Sequence, residues 1–519
     1  MKNKRYGDWL CYGFAGIFVG ILALLTILLV FMHCETNIYS QEMEKVIERH
    51  TPYIYGGIAL VASGAVIILT ALLERIYSHT AKAEMINRGV FFFCGFVILF
   101  AGIFWISFND SVPIYDQKDV YEEAQRLAGV VNEPFDTASF TLFRRNRGIA
   151  LLIALAIRLF GDHYYSFAIF NLAGALIIYG SICQIAKRIY KNLVIMSVTS
   201  LALMMFYPII IYTNFMYGTL LSVAFTALGL YAVVCLRETG KLRYAVIIVL
   251  AFPIGILMHQ SSAIGLVAAV IYLIITAGKE KRKLCRNLAV SACAVIMVFL
   301  SMRSVDMIYD SITGADPHAS SLPVTCIIYM GITSTEGASG PGSQDGSYSN
   351  IFWENGGDGQ ATSRDAINGI ITAMGEYLTG KRSLVFFLEK IEYQWLDPTF
   401  GARKIIRLNN VNVGEPPNSE AFTSFYSSPV RDIIFKLSIG AELAVYLGAF
   451  IAGIKTLRSL QKYHAAVLIQ LYVIGGFAFQ LLWESLSRYC LGYFILLIPQ
   501  AVFGLNELRR FFIERKMKG

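Results

Sequence analysis

The chain has 519 residues, of which 56% are hydrophobic, 13% aromatic and only 15% charged, and its mean hydropathy is +0.56. That composition excludes a water-soluble globular domain and predicts an all-α polytopic membrane protein. The net charge of +8 is no nucleic-acid signature, because the basic residues fall in periodic clusters along the chain. The nine cysteines are scattered, mostly within apolar runs. Only Cys34, Cys326 and Cys490 fall near the side read below as outer, without paired spacing, so neither a disulfide framework nor a zinc site is expected from them.

Apolar runs of about 20 residues mark membrane spans. The first, Leu10–Met32, lacks a small-residue cleavage site and is expected to be a retained anchor. The loop His33–Tyr53 has helical character in SQEMEKVIERH, and Ile54–Leu73 crosses back. These two spans form a prefix, residues 1–88, to a core that runs over residues 89–302 and opens with the span Gly89–Phe108.

Next comes a polar stretch, Asn109–Gly148, pinned between apolar segments at a membrane surface. Asp116 and Asp119 stand three apart at a predicted helix start. From there Val120, Ala124, Leu127 and Ala128 share one face, with Glu122, Glu123, Gln125 and Arg126 on the other, which predicts a short helix lying in the interface. Two readings of the carboxylates stay open: Asp116 as an N-cap with Asp119 its N3 partner, or a pair that carries chemistry. Ile149–Phe160 is apolar but about 12 residues long, too short to span, and is read as a re-entrant or juxtamembrane helix.

Six spans follow at Tyr164–Ala186, Leu193–Ile211, Tyr217–Leu236, Tyr244–Met258, Ser262–Ala277 and Asn287–Met302. Residues 303–432 then form a long polar segment, whose part Met330–Gln360 is glycine-rich and reads as loop, with helices predicted at Ser363–Leu378 and Leu384–Trp395. Within it Glu354, Asp358, Gly359 and Asp365 have partial calcium-loop spacing, but the ligand positions at Gly356 and Asp365 are wrong, and the match is read as chance. Residues 433–519 close the chain with spans Ile433–Ile454, His464–Trp483 and Tyr489–Leu508 and a basic tail. In all, about 12 transmembrane helices are expected.

Basic clusters occur at every second junction: Lys2/Lys4/Arg5, Arg75/Lys82/Arg88, Lys187/Arg188/Lys191, Arg237/Lys241/Arg243, Lys279–Arg286, Lys455/Arg458/Lys462 and Arg509–Lys518. The positive-inside rule then puts both termini in the cytoplasm and the large segment outside. The suspicious titratable groups all face that outer side: Asp116, Asp119, Arg144, Arg145, Arg147, His259, Arg303, Glu484 and Arg488. In WESLSRY, Glu484 and Arg488 have i, i+4 spacing, read either as a rim salt bridge among interfacial aromatics or as a cation held where a lipid phosphate would lie.

The run PIYDQKDVYEEAQRLAG, the later RNRGIALLIALAIRLFG, the YMG at Tyr329–Gly331, DGSYSN at Asp345–Asn350 and WESLSRY at Trp483–Tyr489 resemble, as spaced fragments, the membrane glycosyltransferases of the C superfamily. The likeness is greatest to bacterial relatives of the protein O-mannosyltransferases and the lipid A aminoarabinose transferases. The resemblance implies Asp116 as catalytic residue, Asp119 as a second carboxylate or acceptor ligand, and Arg488, His259, Arg303 and Arg147 as holders of a donor phosphate. Glu484, Tyr489 and Tyr121 would support them. It implies a polyprenyl-phosphate-linked sugar donor, a cell-envelope acceptor and a bacterial cell membrane, with no nucleic acid. The chain departs from those relatives in the three arginines Arg144, Arg145 and Arg147 and in a histidine at 259.

One carboxylate to deprotonate an acceptor hydroxyl, with cations on a departing phosphate, is a sufficient inventory for inverting transfer. A divalent metal is compatible with it but no cofactor is required. The alternatives are a Wzy-like polysaccharide polymerase or ligase, which would place its key arginines in the large loop, and a lipid-linked glycan transporter, which the charge-poor spans disfavour.

Overall fold

The computed structural model describes residues 6–36, 45–108, 113, 115–278, 280–335, 340–402 and 429–518. The chain starts with α1 (Tyr6–Phe31), which runs straight into a two-stranded antiparallel hairpin, β1 (Met32–Thr36) and β2 (Lys45–Arg49), before α2 (Pro52–Ser78). The helical character expected for this loop is corrected at Lys45–Arg49, while Ser40–Glu44 lies outside the described residues. The β-branched pair Val46 and Ile47 suits a strand. Tertiary bonds also hold the hairpin: Cys34 N–H donates to Leu396 O at 2.8 Å, and Lys45 Nζ reaches Asp397 at 3.2 Å.

After α3 (Ala83–Phe108), the helices α4 (Asp116–Ala128), α5 (Thr137–Leu142) and α6 (Arg147–Phe160) lead to α7 (Tyr164–Tyr190). Residues 109–112 and 114 of the opening stretch are outside the described set, as are Lys2, Lys4 and Arg5. α8 (Leu193–Met205) and α9 (Pro208–Ile211) form a pair bent by 52° at a short break. Pro208 lacks an N–H and starts a new helix rather than continuing the old one. Then come α10 (Thr219–Thr239), α11 (Leu242–Met258), α12 (Ser262–Thr276) and α13 (Lys281–Thr313). The polar segment holds α14 (Val324–Thr333), α15 (Ser347–Glu354), α16 (Gly359–Leu378) and α17 (Val385–Trp395). The chain closes with α18 (Pro429–Arg458), α19 (Leu460–Tyr463), α20 (Ala466–Leu482) and α21 (Leu491–Lys518).

Among the described residues, eight helices are long and apolar enough to cross a membrane, and the bent α8–α9 pair adds a ninth candidate if it is one span. The shorter apolar helices α11, α12 and α20 fill the remaining predicted spans. α10 and α21 sit at the centre, with 78% and 94% of their apolar windows buried. α2, α3 and α13 lie at the rim, where Leu60, Val61, Phe92, Phe96, Phe100 and Phe299 face outward as lipid-facing side chains would. α1 packs on α18 and α20, and α2 on α18, so the two-span prefix is built into the C-terminal helices. At the α18–α21 crossing, a Cβ at Gly504 would collide with Gly448 O, and the two glycines let the backbones touch.

The glycine-rich stretch expected to be loop contains α15. The carboxylates with calcium-like spacing serve it locally: Asp358 caps α16 by accepting from Gln360 N–H and Ala361 N–H (2.8 and 3.1 Å), and Asp365 accepts from Asn355 Nδ2 at 3.0 Å. α13 has 33 residues, roughly 50 Å of helix against a hydrocarbon core of about 30 Å, so one end projects from the bundle. That end, with the hairpin, α4–α6 and α14–α17, makes up one loop-rich face. On the opposite face the basic clusters tie helix ends together. Lys187–Glu84, Arg188–Glu238, Lys455–Glu507 and Arg510–Glu74 are each 2.7 Å apart.

The alternation of basic clusters gives an orientation that labelling can check. With exposed Cys285 and Cys293 replaced by serine, cysteines at exposed Lys118 and Lys381 should react with an impermeant maleimide on intact cells. A cysteine at Lys281 should stay unlabelled until the membrane is opened. The reverse pattern would invert the topology.

Candidate functional site

α4 begins abruptly. Tyr115 adopts φ 49° and ψ −135° and accepts from Lys118 N–H (2.8 Å) and Asp119 N–H (3.1 Å) through its carbonyl, with no side-chain cap. A positive φ at a non-glycine residue costs on the order of 1–3 kcal/mol and must be imposed by its surroundings. Asp116 is therefore the first helical residue, and neither carboxylate caps the helix. Both stand exposed in the first turn, where the helix dipole favours negative charge. Partial desolvation of the Asp119 carboxyl where it meets the cavity, and then the charge of Asp116, push it above its ordinary pKa although the residue as a whole is exposed.

The far side of α4 is buried, and it includes a charge. Glu123, placed by periodicity on the solvated face, is fully enclosed. It accepts from Tyr309 Oη–H (2.5 Å), Asp136 N–H (3.0 Å) and Arg126 Nη1–H (3.2 Å). Tyr121 donates to Asp162 at 2.5 Å on the same buried side, so it supports the helix from behind and does not line the cavity. Arg147 is also completely buried. Its guanidinium lies 3.0 Å from both Asp306 and Asp310, donates to Phe140 O at 2.8 Å and stacks 4.5 Å over the Tyr309 ring. It clamps α6 to the projecting end of α13.

A cavity of about 140 Å³ opens beside α4 on the loop face. Asp116 and Asp119 line one wall, Arg145 and Asn146 another, and His259, Gln260 and Ser261 from the α11–α12 turn a third. Glu484, Arg488 and Tyr489 come from the turn before α21, and Gln344 and Tyr348 from the glycine-rich stretch. The Arg488 guanidinium sits among the rings of Tyr489, Phe215 and Tyr217 at 5.3, 5.7 and 5.8 Å. Among the described residues its Nε is buried without a hydrogen-bond partner, and the guanidinium forms no ion pair. Arg145, packed 5.3 Å over Phe143, likewise forms none. Two arginines thus face the cavity without a salt bridge to any described residue.

His259 is held differently. Its Nδ1 accepts from Ser261 N–H at 3.3 Å and lies 2.8 Å from Ser261 Oγ, which assigns the proton to Nε2. Burial, then the charges of Arg488 and Arg145, push its pKa down to about 3. It enters the site as a neutral hydrogen-bond donor, not as the cation expected.

The structure thus brings Asp116, Asp119, His259, Glu484, Arg488 and Tyr489 together around one cavity. It separates others. Arg147 is a clamp in the interior, and Arg145 takes the cavity position among the three arginines. Arg303 is exposed on α13 and does not line the cavity. The helical Glu484–Arg488 pair does not form, because residues 487–490 are a 3-10 turn and Glu484 instead accepts from Tyr489 Oη–H at 3.0 Å. Lys390 of α17 went unnoticed in the sequence. It is fully buried and donates to Gly331 O and, at 2.5 Å, to Trp483 O, directly behind Glu484. Burial pushes its pKa down to about 7. A divalent ion at this cavity would find its oxygen ligands in Asp116 and Asp119.

The fold and the cavity define a multi-pass membrane protein with a charged site at one end of its bundle. Residues 148–304 match the family described as dolichyl-phosphate-mannose-protein mannosyltransferase, a match over part of the chain that supports its likeness to the membrane glycosyltransferases of the C superfamily. That match covers α6 to α13 and includes neither Asp116 nor Arg488. The apo crystal structure of the Archaeoglobus fulgidus oligosaccharyltransferase is similar over 80% of this chain, with 9% identity and a TM-score of 0.43. The chain spans 50% of that protein's length. No match was found among curated protein sequences.

Two outcomes follow from these environments. Arg147→Met strands Asp306 and Asp310 without their partner, and should cost on the order of 3–5 kcal/mol, seen as a large fall in melting temperature. His259, neutral in the folded state, regains its ordinary pKa of 6.5 when unfolded, so the unfolded chain binds the extra proton between that value and about 3. Stability should therefore fall as pH drops through this window. Thermal melts of His259→Gln should lack that acid-side component.

Proposed function

We propose that the cavity transfers a sugar from a polyprenyl-phosphate donor to a hydroxyl of a cell-envelope acceptor, such as a glycan, teichoic acid, lipid or protein, on the outer face of a bacterial cell membrane. The observation that carries this reading is the Arg488 guanidinium, without an ion-pair partner among described residues, in the same cavity as the first-turn carboxylates of α4. Arg488 and Arg145 receive the donor phosphate, with His259 Nε2–H as a neutral donor beside them. Asp116 accepts the proton from the acceptor hydroxyl as its oxygen attacks the anomeric carbon. The anomeric C–O bond breaks, its electron pair leaves with polyprenyl phosphate, and configuration inverts. Asp119, whose raised pKa reflects partial desolvation and the charge of Asp116, positions the acceptor.

The direct test incubates purified protein with a panel of polyprenyl-phosphate sugars and measures released polyprenyl phosphate. Asp116→Asn should lower turnover about 100-fold or more with unchanged melting, and Asp119→Asn should lower it less. Arg488→Ala and Arg488→Lys should both raise the donor KM, since a lysine lacks the forked donors that match phosphate. A fully active, normally stable Asp116→Asn enzyme would remove the assignment of the base.

A further inference from the structure

The hairpin between α1 and α2 carries a cluster that the cavity does not use. His33 lies opposite Glu48 in the β1–β2 register, and His50 N–H donates to Phe31 O at 2.9 Å, extending the ladder by one pair. With a strand period of two, His33, Glu35, Glu48 and His50 project from the same face. His33 Nε2 stands 3.7 Å from Glu48 Oε2 and 3.9 Å from Glu35 Oε2, and the three donor atoms lie within 4.8 Å of one another. His33 is 1% exposed, yet among the described residues neither of its ring nitrogens has a hydrogen-bond partner. A buried imidazole left so is costly unless something else engages it. Its ring is wedged between those of His50, Tyr55 and Phe435, at 5.3, 5.5 and 5.6 Å, so it is not free to turn away.

The separations are too long for hydrogen bonds. The two measured from His33 are close to the roughly 3.4 Å between neighbouring ligands of a tetrahedral zinc ion with bonds of about 2.1 Å, and the three donors together stay within 4.8 Å. One nitrogen and two carboxylate donors suit zinc or a similar first-row ion better than calcium, which takes oxygens alone. The Glu48 side chain is 56% exposed, which gives an ion access from solvent.

We propose that His33, Glu35 and Glu48 bind a divalent transition-metal ion of the zinc class, with His50 beside them to complete the shell. The ion would staple the base of the hairpin. At its other end, Lys45 donates to Ser487 Oγ (2.6 Å) and Asp397 (3.2 Å), next to Arg488. This site is independent of the glycosyl-transfer reading.

The test uses full-length protein in detergent, stripped with a chelator and then titrated with zinc chloride by calorimetry and melted with and without zinc. One zinc ion per chain should bind at the hairpin and raise the melting temperature. Glu48→Gln, a change at an exposed side chain, should weaken binding at least tenfold, roughly the scale on which loss of a metal site's supporting contacts is felt. His33→Ala should abolish binding, and Asp116→Asn, at the cavity, should leave it intact. Unchanged zinc affinity in Glu48→Gln, or no zinc-dependent shift in the wild type, would overturn the proposal and leave His33 as a packed core side chain.

Discussion

The loop-rich face depends on the guanidinium of Arg147. It is buried completely, so its desolvation has to be offset by fixed partners, and Asp306, Asp310, the Phe140 carbonyl and the Tyr309 ring supply them. A planar fork with several donors can satisfy that arrangement where a lysine could not. Tyr309 then passes the constraint on, because its hydroxyl donates to Glu123 inside α4. The turn that presents Arg145 and the helix that presents Asp116 are therefore both referenced to one end of α13. Chain segments far apart in sequence thus share a single anchor.

The electrostatics of the cavity follow from what that anchor leaves uncovered. Arg147 has two carboxylates for itself, whereas Arg145 and Arg488 have rings for neighbours. Aromatic faces hold a cation's position without neutralising it. The result is two arginines in the same cavity as the Asp116–Asp119 pair, cations and carboxylates brought to one site from distant parts of the chain. His259 responds to that field by staying neutral. A neutral imidazole adds a directed donor without adding repulsion to two nearby arginines, so the site tolerates three nitrogen bases side by side.

The spans were legible because a 20-residue apolar run in lipid has almost no alternative to a helix. The basic clusters were legible for a similar reason, and the structure adds that many of them pair with acidic residues on neighbouring helices. Local pattern failed where tertiary bonds decide. Residues 45–49 are too few and too charged to announce a strand, and their pairing with 32–36 and Asp397 is non-local. In RRNR nothing local distinguishes Arg145 from Arg147. The i, i+4 acids Asp306 and Asp310 on α13 were the signal that one arginine would be drawn inward. The spacing of Glu484 and Arg488 allowed a helical pair as one of two readings, but the chain forms no helix there and the pair does not form.

The turn carrying Arg488 is set from behind by buried lysines, and this explains why isolated charges were kept in a protein otherwise sparing of them. Lys390 bonds the carbonyls of Gly331 and Trp483, and a Cβ at Gly331 would strike the carbonyl of Leu482, so α14 and the end of α20 are in backbone contact. Ser485 N–H adds a bond to Gly342 O at 2.8 Å. On the next residues, Ser487 Oγ accepts from Lys45 at 2.6 Å and donates to Asp397 at 2.7 Å, while Thr399 and Gly401 fill the remaining acceptor positions of that carboxylate. Burial raises the Asp397 carboxyl, but Lys45 and these donors outweigh it and hold it ionised, below its ordinary value. Apolar packing at these points would be as stable or more so, but it would not fix direction. Hydrogen bonds do, and a guanidinium that faces a cavity without an ion-pair partner among the described residues is aimed only as well as the backbone that carries it is placed.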